Sequence, residues 1–405
     1  MSNSTQNDVT RKKSKLVTTV LVLSGAAGVG VFLLMPAIAS ALGGIWGFDN
    51  NQIGEFAFIS LAFISLGCVI GMLAGNLMSI RLLLTISLSI LVLMEIISPH
   101  VGIENYSLFL VIRGISGTAG GVVMAVSTGA LAQFPGVERN FGLFLFAQII
   151  ISMVGIPIMN TLVGMLGIAA VFYMLATIPG IVILLLSSFL PAVPVSALGG
   201  GDGEASEKPR NSAAAWFYCC VVLAGIVAFF IAIGAFWTFI QKIGEGAGLS
   251  PEAAGIAISI ATVGGALGAL MPVFLKDRFG SLAPLLFGFV ALLSAVYLIG
   301  TQTAMSGFAA AAFAFMFGWY FYHPYQIGVL ASVDSDGRPT MASAALIGVG
   351  LGLGPSLVKI FGGEGFSGVY LVSTICFVVG VVALISVIFL SGSMSQGVDA
   401  GSETA

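Results

Sequence analysis

Few side chains in this sequence can do acid–base or electrostatic chemistry. Of its 405 residues 8% are charged, and two are histidines. Arg113 stands inside the apolar run from Leu108 to Gln133, LFLVIRGISGTAGGVVMAVSTGALAQ. Glu95 stands near the end of the apolar run before it. An arginine keeps its charge, so in an apolar phase it requires a partner or a wet cavity. If the two runs are antiparallel helices, Arg113 lies ~9 Å down its helix at 1.5 Å per residue. Glu95 then lies at a similar depth, and a pair is sterically possible. A carboxylate beside a fixed cation is a candidate coupling or gating pair, because burial favours the neutral acid and the arginine favours the anion. The alternative is that Glu95 reaches the interface and Arg113 only ties helix ends together.

A second concentration of polar and aromatic groups runs from Gly318 to Gln326, GWYFYHPYQ. Phe315, Trp319, Tyr322 or His323, and Gln326 recur at helical spacing and can share a face. Aromatic walls with a few polar groups suit a small, partly apolar organic molecule. His323 is a group that titrates near neutral pH; the alternative is a neutral, hydrogen-bonded histidine. Pro324 removes a backbone donor and should open the helix locally. Elsewhere, Phe230, Gly234, Trp237 and Gln241 share a face, where gating and substrate contact are equal readings. Gln148 and Ser152, one turn apart, serve either substrate contact or helix–helix hydrogen bonding.

The elements that must position these groups are membrane helices. Apolar residues make up 58% of the chain and the mean hydropathy is +1.10, against about 25% charged residues in an average soluble protein. Twelve spans are expected, at about 16–42, 53–77, 82–97, 108–133, 141–166, 168–190, 214–240, 252–275, 282–301, 305–332, 340–361 and 367–390. The first carries Pro36 as a possible kink, and an outer loop over 98–106 joins the third to the fourth. The chain divides into a cytoplasmic N-terminal tail (1–15), a six-helix bundle (16–190), a cytoplasmic linker (191–213) containing GGGDGEASEKPRNS, a second six-helix bundle (214–391) and a cytoplasmic tail (392–405). With the N-terminus inside, Arg11, Lys12, Lys13, Lys15, Arg81, Arg139, Lys208, Arg210, Lys276, Arg278 and Arg338 fall on the cytoplasmic side, and Lys242 alone in an outer loop. That asymmetry sets the orientation, with both termini cytoplasmic.

The two halves echo each other. Gly71 aligns with Gly268 and Arg81 with Arg278, and the second copy continues Asp277-Arg278-Phe279-Gly280. Gly155 and Pro157 have a counterpart in the glycine run ending at Pro355. Arg113, Gly117, Gly120 and Gly121 resemble the fourth-helix motif of the major facilitator superfamily, and Asp277, Arg278 and Gly280 resemble its loop signature. In the first copy of that loop Arg81 remains, while Ile80 replaces the aspartate. The resemblance implies an all-α integral membrane fold of twelve transmembrane helices in two pseudo-symmetric six-helix bundles, with the substrate site between them at midplane. It implies Arg81, Asp277, Arg278 and Gly280 as a conformational loop motif, and points to the bacterial drug- and metabolite-efflux subgroup.

The expected function is secondary transport of a small amphipathic or aromatic organic compound, proton-coupled and outward. Proton-coupled uptake of a small organic acid or nutrient is the alternative, with Arg113 meeting a carboxylate. A passive facilitator or a lipid-handling protein is the reading from another class. Glu95 and Arg113 are the coupling or gating pair. Gln148, Ser152, Trp237, Gln241, Trp319, Tyr322, His323 and Gln326 line the substrate cavity. The expected partners are a small-molecule substrate, protons or another coupling ion, and lipids of the cell membrane. No nucleic acid, cofactor or metal is expected, and the chain should act as a monomer. Asp334-Ser-Asp336-Gly337 begins like a calcium loop but lacks the closing glutamate. No hydrolase or phosphate-loop motif is present, so no enzymatic activity is expected.

Overall fold

The computed structural model describes residues 16–75, 77–131, 133–134, 137–190, 192–195, 213–275, 280–334, 338–361 and 365–402. These residues are helical, without strands. The chain forms two compact units, Met1–Asp202 and Gly203–Ala405. The first holds α1 (Leu16–Gly28), α2 (Gly30–Leu33), α3 (Met35–Ile45), α4 (Asn50–Ala74), α5 (Ile80–Val101), α6 (Tyr106–Leu131), α7 (Val137–Leu166) and α8 (Ala169–Phe189). The second holds α9 (Ala213–Gly246), α10 (Pro251–Leu275), α11 (Leu282–Ile299), α12 (Met305–Val333), α13 (Arg338–Ile360) and α14 (Ser367–Ser402). Nine of these helices contain stretches long and apolar enough to cross a bilayer. The apolar α8 and α13, together with the broken run α1–α3, bring the traversals to twelve. This is a multi-pass membrane protein.

The packing within each unit repeats. In the first, α4 and α5 pack on α6, and α5 packs on α8; in the second, α10 and α11 pack on α12, and α11 packs on α14. In these helix pairs the two units have the same neighbours.

Glycine sets the closest approaches. A Cβ added at Gly117 would overlap the Ser60 carbonyl, and one at Gly121 the Ile64 carbonyl, so α4 lies directly on the backbone of α6. Gly28 and Gly120 bring α1 onto the other flank of α6 in the same way. Helix association in lipid depends on such backbone contact.

Four expectations need correction. Lys242, expected in an outer loop, lies within the last turns of α9. The first span is not one helix bent at Pro36. It is interrupted at Val29 and again at Leu34, and Pro36 sits in the first turn of α3. A proline lacks an N–H and its ring crowds the carbonyl four residues back, so the disturbance falls a turn before it. The loop over 98–106 is largely helical: α5 continues to Val101, and a 3-10 turn, Gly102–Asn105, leads into α6. Gly102 takes φ +29° there and lies against the Trp46 ring, where a Cβ would approach Cζ2 to 2.6 Å. Finally, the helical backbone of α14 runs on to Ser402, through residues read as a polar tail.

Polar caps fix the starts of the elements that carry the site. Asp49 Oδ1 accepts from the Gln52 N–H at 2.8 Å, and Gln52 Oε1 accepts from the Asp49 N–H at 3.1 Å, a reciprocal pair at the start of α4. Ser79 accepts from the Leu82 N–H at the start of α5. The box and the single cap both satisfy amides that a first helical turn leaves without partners.

Candidate functional site

In the first unit α5 and α6 form an antiparallel hairpin that brings Glu95 and Arg113 together. Arg113 Nη1 lies 2.9 Å from Glu95 Oε2 and 3.0 Å from Oε1. The Arg113 side chain is 1% exposed and that of Glu95 2%. Burial removes the interfacial reading of Glu95, because α5 extends beyond it. Ser116 Oγ donates to Glu95 Oε1 at 2.7 Å. Arg113 Nη2 donates to Ser98 Oγ at 2.6 Å and to the Met94 carbonyl at 3.3 Å. Phe109 and Phe172 face the guanidinium, with ring centroids 5.9 and 5.3 Å from its carbon. Of the guanidinium nitrogens, Nε has no hydrogen-bond partner among the described residues.

The chemistry of this arrangement is specific. A neutral ion pair with hydrogen bonds on both members is the form in which two charges survive removal from water. Adding a proton to Glu95 would abolish the anion that holds Nη1, and would leave a cation gripped by a serine, a carbonyl and two aromatic faces. The pair is one of the contacts by which α5 holds α6.

Ser98, Ser116, Phe109 and Phe172 are site members that the sequence reading missed. Ser98 is three residues beyond Glu95 on α5, and Ser116 three beyond Arg113 on α6, so each shares the face of the charged residue on its own helix and meets the one opposite. That signal was available. For Phe172, which arrives from α8, none was.

Other expected residues divide. Ser152 Oγ donates to the Leu33 carbonyl at 2.9 Å, so it serves the helix–helix reading and supports the backbone at the break between α2 and α3. Gln148, a turn earlier on α7, is half-buried. Arg81 Nε donates to the Leu190 carbonyl at 2.7 Å, with Nη2 on the same oxygen, so it caps the end of α8. The segment after α8 returns over the α4–α5 turn: the Ile80 N–H meets the Val193 carbonyl, and the Val195 N–H meets the Gly75 carbonyl. Asp277 and Arg278 lie outside the described residues. Gly280 has φ +58° just before α11.

In the second unit the aromatic residues of α9 and α12 meet. Trp237 and Trp319 lie 6.1 Å apart, edge to face, and Phe315 lies 6.3 Å from Trp319. The Phe230 ring stands edge-on to His323 at 5.0 Å. His323 Nδ1 and Gln326 Oε1 are 3.2 Å apart; an amide oxygen only accepts, so with this orientation Nδ1 carries the hydrogen and Nε2 keeps a lone pair. Gln326 Nε2 is buried without a hydrogen bond among the described residues. Tyr322 points elsewhere. It stacks on Phe229 at 4.8 Å and packs over Gly288 of α11, which makes it a helix-packing residue. Gln241 donates to Glu245 Oε1 and the Pro251 carbonyl, across the turn from α9 to α10. No group of three metal-ligating side chains converges among the described residues.

No protein-family model matches the sequence, and no curated protein matches it either. Solved structures do match its shape. The chain is similar to the nucleoside transporter NupG (TM-score 0.70, 13% identity, covering 93% of this chain and 98% of that one). It is similar to a D-xylose-proton symporter (TM-score 0.68, 15% identity, 92% and 96% covered). It is also similar to the xylose transporter XylE from E. coli in a partially occluded inward-open conformation (TM-score 0.70, 13% identity, 92% and 98% covered). The fold is that of the major facilitator superfamily. At such identities the likeness concerns the fold. Within the major facilitator fold, Glu95 and Arg113 fall on the third and fourth spans, and the Trp237–Trp319 cluster on the seventh and tenth.

Proposed function

We propose that this chain is a major facilitator transporter of the cell membrane, with both termini cytoplasmic, that moves a small amphipathic or aromatic organic compound by alternating access. Transport is coupled to protons through Glu95 and Arg113, and the favoured direction is export. The observation that carries this reading is the buried Glu95–Arg113 pair, a titratable group set against a fixed cation in a chain almost without charge. The tryptophan pair, His323 and Gln326 supply an aromatic and polar wall that fits such a cargo. Trp237, Trp319, His323 and Gln326 are its candidate contacts in the second unit, and Gln148 is a separate candidate in the first. Among the cavity residues expected from sequence, Ser152, Tyr322 and Gln241 are engaged in helix and turn contacts instead. No enzymatic activity is assigned.

Proton-coupled uptake is the second reading. It is favoured by one observation, the likeness to a D-xylose-proton symporter and a nucleoside transporter.

The test is transport in proteoliposomes under an imposed pH gradient. A panel of aromatic and amphipathic metabolites should contain a compound whose movement follows the gradient, and its direction separates export from uptake. Glu95→Gln should abolish gradient-driven accumulation while leaving exchange of the same compound. If Glu95→Gln accumulates as the native protein does, the coupling role is lost. If movement is equally fast with every ion gradient collapsed, the chain is a passive facilitator.

A further inference from the structure

Beside the ion pair lies a cavity of about 10 Å³ whose walls include Gly28, Ser60, Glu95, Arg113, Ser116 and Gly117. By this measure a single water needs on the order of 10–15 Å³, with two to four polar partners. Two buried polar atoms of the wall residues have no hydrogen-bond partner among the described residues: Ser60 Oγ and Arg113 Nε. Ser60 is 2% exposed and Arg113 1%. An unsatisfied buried hydroxyl is costly and an unsatisfied charged donor more so, so two at one small cavity form a built site.

We propose that this cavity binds one water molecule, held by Ser60 Oγ and Arg113 Nε, and that this water is the last carrier of the proton that reaches Glu95. The second clause rests on the coupling role proposed above; the first does not. Arg113 Nε donates to the water oxygen. The Ser60 hydroxyl accepts from the water or donates to it, and the remaining hydrogen is directed to the carboxylate. When a proton reaches the water, the water passes its own hydrogen to a Glu95 oxygen in the same step, so no free hydronium ion stands beside Arg113. Neutral water and a neutral carboxyl group remain, and the charge of Arg113 is left without its counter-ion. The glycine motif has a part in this. Since Gly117 has no Cβ, α4 approaches near enough to bring Ser60 to the cavity. Ser60 is thus a positioning residue for the proton step.

The experiment is infrared difference spectroscopy of the purified full chain between acidic and alkaline buffer, in ordinary and oxygen-18 water. The native protein should show an oxygen-18-sensitive O–H band of a confined water, together with a carboxyl C=O band that Glu95→Gln removes. Ser60→Ala should lose the water band and shift the pH at which the carboxyl band appears. Ser65→Ala should retain both, because Ser65 Oγ is another buried hydroxyl of α4 without a partner and is not part of this cavity wall. Thermal unfolding of each variant controls for folding. A native protein without a confined-water band, or a band unchanged in Ser60→Ala, overturns the water site. A water band lost in Ser60→Ala, with no carboxyl band removed by Glu95→Gln, supports the water site and overturns the proton step.

Discussion

At the scale of the residue, Arg113 determines most of what surrounds it. A guanidinium in a membrane span must be neutralised and hydrogen-bonded, and here a carboxylate, a serine, a carbonyl and two rings do both. Breaking such a pair from one side should cost about 3–5 kcal/mol. Glu95→Ala should therefore lower the unfolding midpoint sharply. The double variant Glu95→Leu with Arg113→Met should recover much of that loss and transport nothing under a pH gradient. Denaturation of the two proteins in one detergent measures the difference, and a single variant as stable as the native chain would mean the pair contributes little. In the second unit, Trp319→Ala should weaken substrate binding at least tenfold, about 1.4 kcal/mol, where Tyr322→Phe should leave it unchanged. Binding isotherms with the transported compound check both. The pair was legible in the sequence because hairpin geometry fixes depth. The role of Tyr322 was not, since one helical turn offers several faces and only the position of Phe229 selects among them.

At the scale of the element, the seams between helices carry a second set of expectations. Gly121 lies on the α4 backbone, while Gly44 near the end of α3 has nothing within 4 Å of where its Cβ would stand. Gly121→Ala should cost about 1–3 kcal/mol or more through overpacking. Gly44→Ala should be neutral or stabilising by about 0.5–1 kcal/mol, as alanine is in a helix. Thermal unfolding of both variants tests the seam, and equal midpoints would contradict it. The sequence made Gly117 and Gly121 readable as a packing pair, because their spacing repeats on one helix face. It did not reveal the breaks at Val29 and Leu34. A proline shows where a donor is missing, but not which neighbouring side chain, here Ser152, will meet a carbonyl on the far side of the break.

At the scale of the whole molecule, the repeat is the main finding. The helix pairs among α4, α5, α6 and α8 recur among α10, α11, α12 and α14, and twelve traversals follow from hydropathy alone. This much was readable because lipid imposes a length and a polarity on every span. Substrate identity was not, since it depends on a handful of side chains whose facing partners lie far along the chain. The resemblance of Arg81 to a loop brace is a case in point: its hydrogen-bond acceptor is Leu190. A thermal-shift screen against metabolites and drugs should find ligands. One present at 100 times its dissociation constant should stabilise the protein by about 2.7 kcal/mol. Hits among unrelated lipophilic cations would favour multidrug export, and hits confined to sugars or nucleosides would favour uptake.

The α5–α6 hairpin also bears on how the chain is made. An arginine opposes the passage of a nascent helix from the translocon into lipid, by up to about 2.5–3.5 kcal/mol at the helix centre and less toward an end such as that of Arg113. Glu95 is synthesised before Arg113, on the helix just ahead, separated from it by a short 3-10 turn. The carboxylate is therefore already waiting when the guanidinium emerges, and the hairpin can leave the translocon as one neutral body. The same contact that closes the hairpin thus cancels its two charges before it meets lipid. Scoring insertion of an α5–α6 reporter should show a drop on Glu95→Ala and none on Glu104→Ala, because Glu104 lies outside the pair.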